Sequence, residues 1–71
     1  MKGWAVFEIG EKRATSPLYD SEADAGEELE RGNRFDPGGK ARRFVGQAIQ
    51  RTTGGAVELD TEARGGEHLL P

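Results

Sequence analysis

Three stretches of the chain carry residue types at spacings that could do chemistry. Asp20-Ser21-Glu22-Ala23-Asp24 sets carboxylates at alternate positions, like the opening of a calcium loop. The likeness ends there: the glycine comes one position late, at Gly26, and the twelfth position is Arg31 instead of a glutamate. Pro37-Gly38-Gly39-Lys40 offers glycine amides and a lysine at a helix start, the makings of an anion site. A nucleotide P-loop would need Gly-x4-Gly-Lys-Ser/Thr, yet Arg34 stands five residues before Gly39 and Ala41 follows Lys40. Asp36 would also repel a phosphate, so a glycine-rich loop entering a helix is the simpler reading. His68 is the sole histidine and there is no cysteine, so a nucleophile has no thiol and no positioned imidazole base. Zinc lacks its soft ligands altogether. No catalytic residue, metal site or cofactor is expected, and the chain reads as a non-enzyme.

Binding is better supplied. Residues 20–30 carry six acids and no base, a charge of −6, whereas Arg31, Arg34, Lys40, Arg42, Arg43 and Arg51 against Asp36 give residues 31–53 a charge of +5. The formal net charge of −3 is therefore a remainder of two opposed segments, not a uniformly acidic surface. Arginine forks suit phosphate. Arg31, Arg34, Lys40, Arg42, Arg43 and Arg51 cluster on and before an expected second helix, which could follow a nucleic-acid backbone or a groove. Against this stand an isoelectric point near 5.1 and an acidic segment directly ahead that can neutralise the basic one. The aromatics make no interleaved stacking platform, since Trp4, Phe7 and Phe44 read as structural and Tyr19 and Phe35 flank turns.

The elements that must position these residues follow from periodicity and caps. Gly3 to Ile9 alternates as a strand, with Trp4, Val6 and Glu8 on one side and Ala5, Phe7 and Ile9 on the other. Gly10 to Arg13 has the length of a hairpin loop, and Ala14 to Tyr19 would return antiparallel at a sheet edge, where Pro17 is tolerated. Ser21 with Asp24 fits a capping box, starting a helix whose inward stripe is Ala25 and Leu29 and whose stop is Gly32-Asn33. Asp36 as N-cap and Pro37 at the first position predict a second helix, with Ala41, Phe44, Val45, Ala48 and Ile49 at i, i+3, i+4, i+7 and i+8. Gly46 inside it costs about 1 kcal/mol relative to alanine unless close packing requires it. Ala56 to Thr61 alternates as a third strand, with Val57 and Leu59 inward. The expected fold is α+β: a small three-stranded antiparallel sheet in the order β-β-α-α-β, two helices on one face, a single compact domain over 1–61 and a mobile tail over 62–71.

With 71 residues, 34% of them hydrophobic and 32% charged, the chain has a small core and marginal stability. Below about 70–80 residues such a core rarely supplies more than 3–5 kcal/mol, and association is a usual supplement. The absence of cysteine, of a signal-peptide core behind Met1-Lys2-Gly3-Trp4 and of any long apolar run sets the expectation of a soluble, cytoplasmic protein without a membrane partner. The expected function is protein interaction, as an adaptor, an inhibitor or a homo-oligomer subunit. Its surface would be Trp4 and its strand together with the segregated charge. Nucleic-acid binding, with phosphates contacted through the basic second helix, is the alternative.

Overall fold

The computed structural model describes residues 1–61, the side chains of Lys40 and Ala41 excepted. Its elements run β1 (Lys2–Glu8), α1 (Glu22–Phe35), a 3₁₀ helix (Pro37–Arg42), β2 (Arg43–Gln50) and β3 (Val57–Leu59). The strands form an antiparallel sheet in the order β1-β2-β3, so the fold is α+β with a small sheet. No helix among the described residues is long and apolar enough to cross a membrane. The expected tail, 62–71, lies outside the described residues.

Two of the five expected elements are replaced. The stretch read as a second helix is β2, the central strand. Its pairing places Phe44, Gly46, Ala48 and Gln50 on one face and Arg43, Val45, Gln47 and Ile49 on the other. A central strand is covered on both faces, so apolar residues fall at both parities and reproduce helical spacing by coincidence. Its composition favours the strand: Phe44, Val45 and Ile49 are aromatic or β-branched, and Gly46 is a poor helix residue. A Cβ at Gly46 would press on Leu59 Cδ1 and Phe44 Cε2 at 3.1 Å each, which is the close-packing reason for glycine there. Pro37 does open a helical turn, but a 3₁₀ one that ends at Arg42. The observed order is thus β-α-β-β with one α-helix among the described residues.

The expected second strand is also absent. Residues 12–19 instead form a strap across the sheet. Lys12 accepts a hydrogen bond from Leu59 N–H and Ala14 donates to Val57 at the free edge of β3. The chain then crosses to the other edge, where Thr15 donates to Val6 and Trp4 and Tyr19 exchange both of their backbone bonds at 2.8 and 2.7 Å. Ser16 Oγ accepts from Val6 N–H at 2.9 Å, supplying with a side chain what a regular strand would supply with its backbone. Pro17 lacks the N–H for a continuous ladder, so only single bridges form. The strap thereby occupies outward backbone groups on both edges, which would otherwise invite pairing with another chain.

The core lies between strap and sheet. Ala5, Phe7 and Ala48 are fully buried, with Ala14, Leu18, Phe44, Val57 and Leu59 packed around them. Phe7 and Phe44, paired across β1 and β2, stack with ring centroids 5.7 Å apart. The opposite face carries Val6 and Val45, and α1 packs against β1 and β2 there with Ala25 buried. Small residues on α1 let the helix sit close while burying little area.

The start of α1 follows the sequence. Ser21 has extended backbone angles and its Oγ accepts from Asp24 N–H at 3.1 Å, and Glu22 and Asp24 oppose the positive helix end. Ser21→Ala should lower the unfolding free energy by about 1 kcal/mol in a urea titration. The C-terminus lies further on than Gly32-Asn33: the helix continues to Phe35, because Pro37 disfavours helical angles at Asp36 and ends the run.

Candidate functional site

Helix α1 covers the second face of the sheet unevenly. Its C-terminal end is tied to the start of β2, where Arg43 donates to the Gly32 carbonyl at 3.4 Å and pairs with Asp36 Oδ2 at 2.8 Å. Its N-terminus begins just after Tyr19, the residue bridged to Trp4. Trp4 faces Gln47 across β1 and β2, and Asp60 N–H donates to the Gln47 carbonyl at 2.9 Å, so these three residues form a row across the sheet. The row bounds an open cleft of about 300 Å³, lined by Lys2, Gly3, Trp4, Asp20, Gln47 and Asp60.

The cleft combines an aromatic surface with charge. Trp4 is half-buried, while Asp20 and Gln47 are exposed. Asp60 is only 3% exposed, and its Oδ2 lies 3.8 Å from Lys2 Nζ. The Lys2 side chain is 63% exposed, so this ion pair joins a buried carboxylate to a largely solvated ammonium. A buried carboxylate is costly to strand, whereas a long, exposed lysine is easily rearranged.

Beside the cleft, Tyr19 ties the strap to α1. Its hydroxyl donates to Glu28 Oε2 at 3.0 Å, and Arg31 Nη1 donates to the same oxygen at 2.8 Å. Burial, and then the hydrogen bond and negative charge of Glu28, push the Tyr19 phenol above its ordinary value of 10.0. The folded state therefore holds this proton longer than the unfolded state. The stabilisation is complete below pH 10 and is lost as pH rises through the raised value. The stability advantage of the native chain over Tyr19→Phe should accordingly shrink in alkali. Urea midpoints at pH 8 and above pH 10 measure it, and an unchanged advantage would contradict the assignment.

The residues expected to bind a partner are Trp4, Arg34, Lys40, Arg42, Arg43 and Arg51. Trp4 alone lines the cleft. Arg34 is exposed on the last turn of α1, beside an open depression with Glu30, Asn33 and Pro37, and Arg42 is exposed at the end of the 3₁₀ helix. Lys40 belongs to that 3₁₀ helix, and its side chain lies outside the described residues. Arg43 is an internal clamp, its side chain 19% exposed and held by Asp36 and Gly32. Arg51 is exposed just beyond β2, about 26 Å along the strand from Arg43 at roughly 3.3 Å per residue. A continuous basic helical face is therefore replaced by separate positions on a helix, a turn and a strand.

Sequence reading missed Lys2, Gln47 and Asp60 as neighbours of Trp4, and placed Asp20 only near a helix start. Gln47 could not be paired with Trp4 while its segment was read as a helix. Asp60, alternating with Val57 and Leu59, reads from the sequence as outward-facing with Glu58, yet it is buried, and nothing local to it announces that. Comparison with protein-family models, with curated proteins and with solved structures gave no match to this chain.

Proposed function

We propose that this protein is a non-enzymatic interaction module that docks a protein partner at the Trp4 cleft. The observation that carries the reading is the cleft itself, where the only tryptophan of the chain stands half-buried at the end of the sheet that α1 leaves uncovered. Tryptophan supplies large contact area with little conformational entropy to lose, which is why it is enriched at interface hot spots. The remaining strand surface is spoken for: the strap buries Ala5 and Phe7, and Val6 is buried beneath α1. Charge segregation persists in the fold, with Glu22, Asp24, Glu27 and Glu30 exposed along α1 and Arg34 and Arg42 exposed beyond its middle. Such a field steers and orients a partner.

Affinity capture with the intact chain tests this. Native bait should retain a partner, or sediment as a dimer, and Trp4→Ser should abolish either interaction while keeping a native amide spectrum. Gln47→Arg, which obstructs the cleft from an exposed position, should do the same without touching the core. Equal retention by native and both variant baits would contradict the reading. Retention on a nucleic-acid column that weakens with salt and disappears in Arg34→Glu/Arg42→Glu would favour the nucleic-acid alternative instead.

A further inference from the structure

We infer that residues 62–71 of this chain fold back over the Trp4 cleft, so that a partner must displace them to dock. This inference rests on the docking reading and adds the regulation of the same site. The point at which the described chain leaves the sheet carries it. Asp60 lines the cleft, in one row with Gln47 and Trp4, and Thr61 is the last described residue. The row crosses two strand spacings, so the backbones of Asp60 and Trp4 lie roughly 10 Å apart. The sequence goes on with Glu62-Ala63-Arg64-Gly65-Gly66-Glu67-His68-Leu69-Leu70-Pro71. Leu69 comes eight residues after Thr61 and can stand at most about 28 Å from it, enough to cross the row and return.

Composition names the part that makes contact. Leu69 and Leu70 are the only large apolar side chains among these ten residues, and Gly65-Gly66 ahead of them allows the chain to reverse. Trp4 is half-buried, so its exposed part offers them apolar area within a cleft of about 300 Å³. Three large hydrophobics are well exposed among the described residues, and of these Met1 adjoins the cleft at Lys2. The other two lie at the far end: Ile9 N–H donates to the Arg42 carbonyl, and Phe35 precedes Asp36, which Arg43 holds at the start of β2. Ile9 comes five residues after Trp4, roughly 17 Å away along the strand direction. A short tether concentrates what it carries near its own anchor, at about millimolar, so the leucines meet Trp4 first. Asp60 marks only the exit of the chain and keeps its own contacts. A partner then finds the cleft open in a fraction of molecules, and its apparent Kd rises by the inverse of that fraction.

The test uses the full chain and the sole tryptophan as its reporter. Acrylamide quenching of Trp4 emission is compared between the native chain and Leu69→Ser/Leu70→Ser, a variant that leaves the described core untouched. The quenching constant should rise about twofold in the variant, with emission moving to longer wavelength. A second measurement places a nitroxide on His68→Cys, the chain having no other cysteine. The label should broaden the amides of Gly3, Trp4 and Gln47, and the two serines should remove at least half of that broadening. A partner captured by native bait should bind the serine variant about threefold more tightly. Equal quenching in the two chains, or broadening that the serines leave unchanged, would overturn the inference. If quenching is equal while Trp4→Ser still abolishes capture, the cover fails and the docking site stands. If the serines expose Trp4 while capture is indifferent to Trp4→Ser, the docking reading fails and displacement by a partner fails with it.

Discussion

Phe7→Ala should leave the chain predominantly unfolded at room temperature. Phe7 is fully buried and is the largest such side chain among the described residues. It stacks on Phe44 and belongs to the same cluster as Ala14 and Leu18 of the strap and Leu59 of β3. Truncating a buried phenylalanine costs about 3–5 kcal/mol, the lost transfer free energy plus a cavity the surroundings fill only partly. A domain of this size commonly has about 3–5 kcal/mol in total, so the two terms are comparable. Far-ultraviolet dichroism and a urea titration measure the outcome. A cooperative transition at a near-native midpoint would show that the core lies elsewhere.

The second large effect comes from the smallest change available. A Cβ at Gly3 would collide with the backbone carbonyl oxygen of Tyr19 and sit 3.2 Å from Leu18 Cγ. The obstacle is backbone, so relief requires moving the strap away from β1. Gly3→Ala should therefore break the paired bonds between Trp4 and Tyr19, at about 1 kcal/mol each, and add overpacking strain of about 1–3 kcal/mol. The amides of Trp4 and Tyr19 should exchange far faster with solvent than those shared by β1 and β2. Asp20 follows Tyr19 directly, so the cleft should lose partner binding together with the strap contact. Native exchange rates at Trp4 and Tyr19 would mean that the edge does not depend on this close approach.

These two positions also mark what the sequence could and could not convey. Alternation along β3 was legible because Val57 and Leu59 are partly covered while Glu58 is exposed, whereas β1, with Ala5, Val6 and Phe7 all buried, was legible from its aromatic and β-branched residues ahead of Gly10. The N-cap at Ser21 was legible because capping is local chemistry. The central strand was not, since Phe44, Val45, Ala48 and Ile49 serve two covered faces and their spacing satisfies a helix equally well. The strap was hidden for another reason: its partners are Trp4 and Val6 on one edge and Val57 and Leu59 on the other, and no local pattern encodes a segment divided between two strands. The site inherits both failures. Trp4 stood out by residue type, but Gln47 and Asp60 come beside it only through the pairing of β2 with both neighbours.

The same correction changes the meaning of the charge pattern. The acidic segment is a real helix face that begins at the cleft. The basic segment is distributed, with Arg43 used internally to hold the helix C-terminus against β2. Opposed charges separated along the molecule orient an incoming partner more readily than a uniformly acidic surface would.

The central claim is that a partner docks where α1 leaves the sheet uncovered, and a backbone amide shift map of the full chain measures this most directly. On titration with a partner captured by native bait, the largest shifts should fall at Lys2, Gly3, Trp4, Asp20, Gln47 and Asp60. Shifts confined to Arg34, Arg42 and the 3₁₀ helix, with the Trp4 row unmoved, would contradict it.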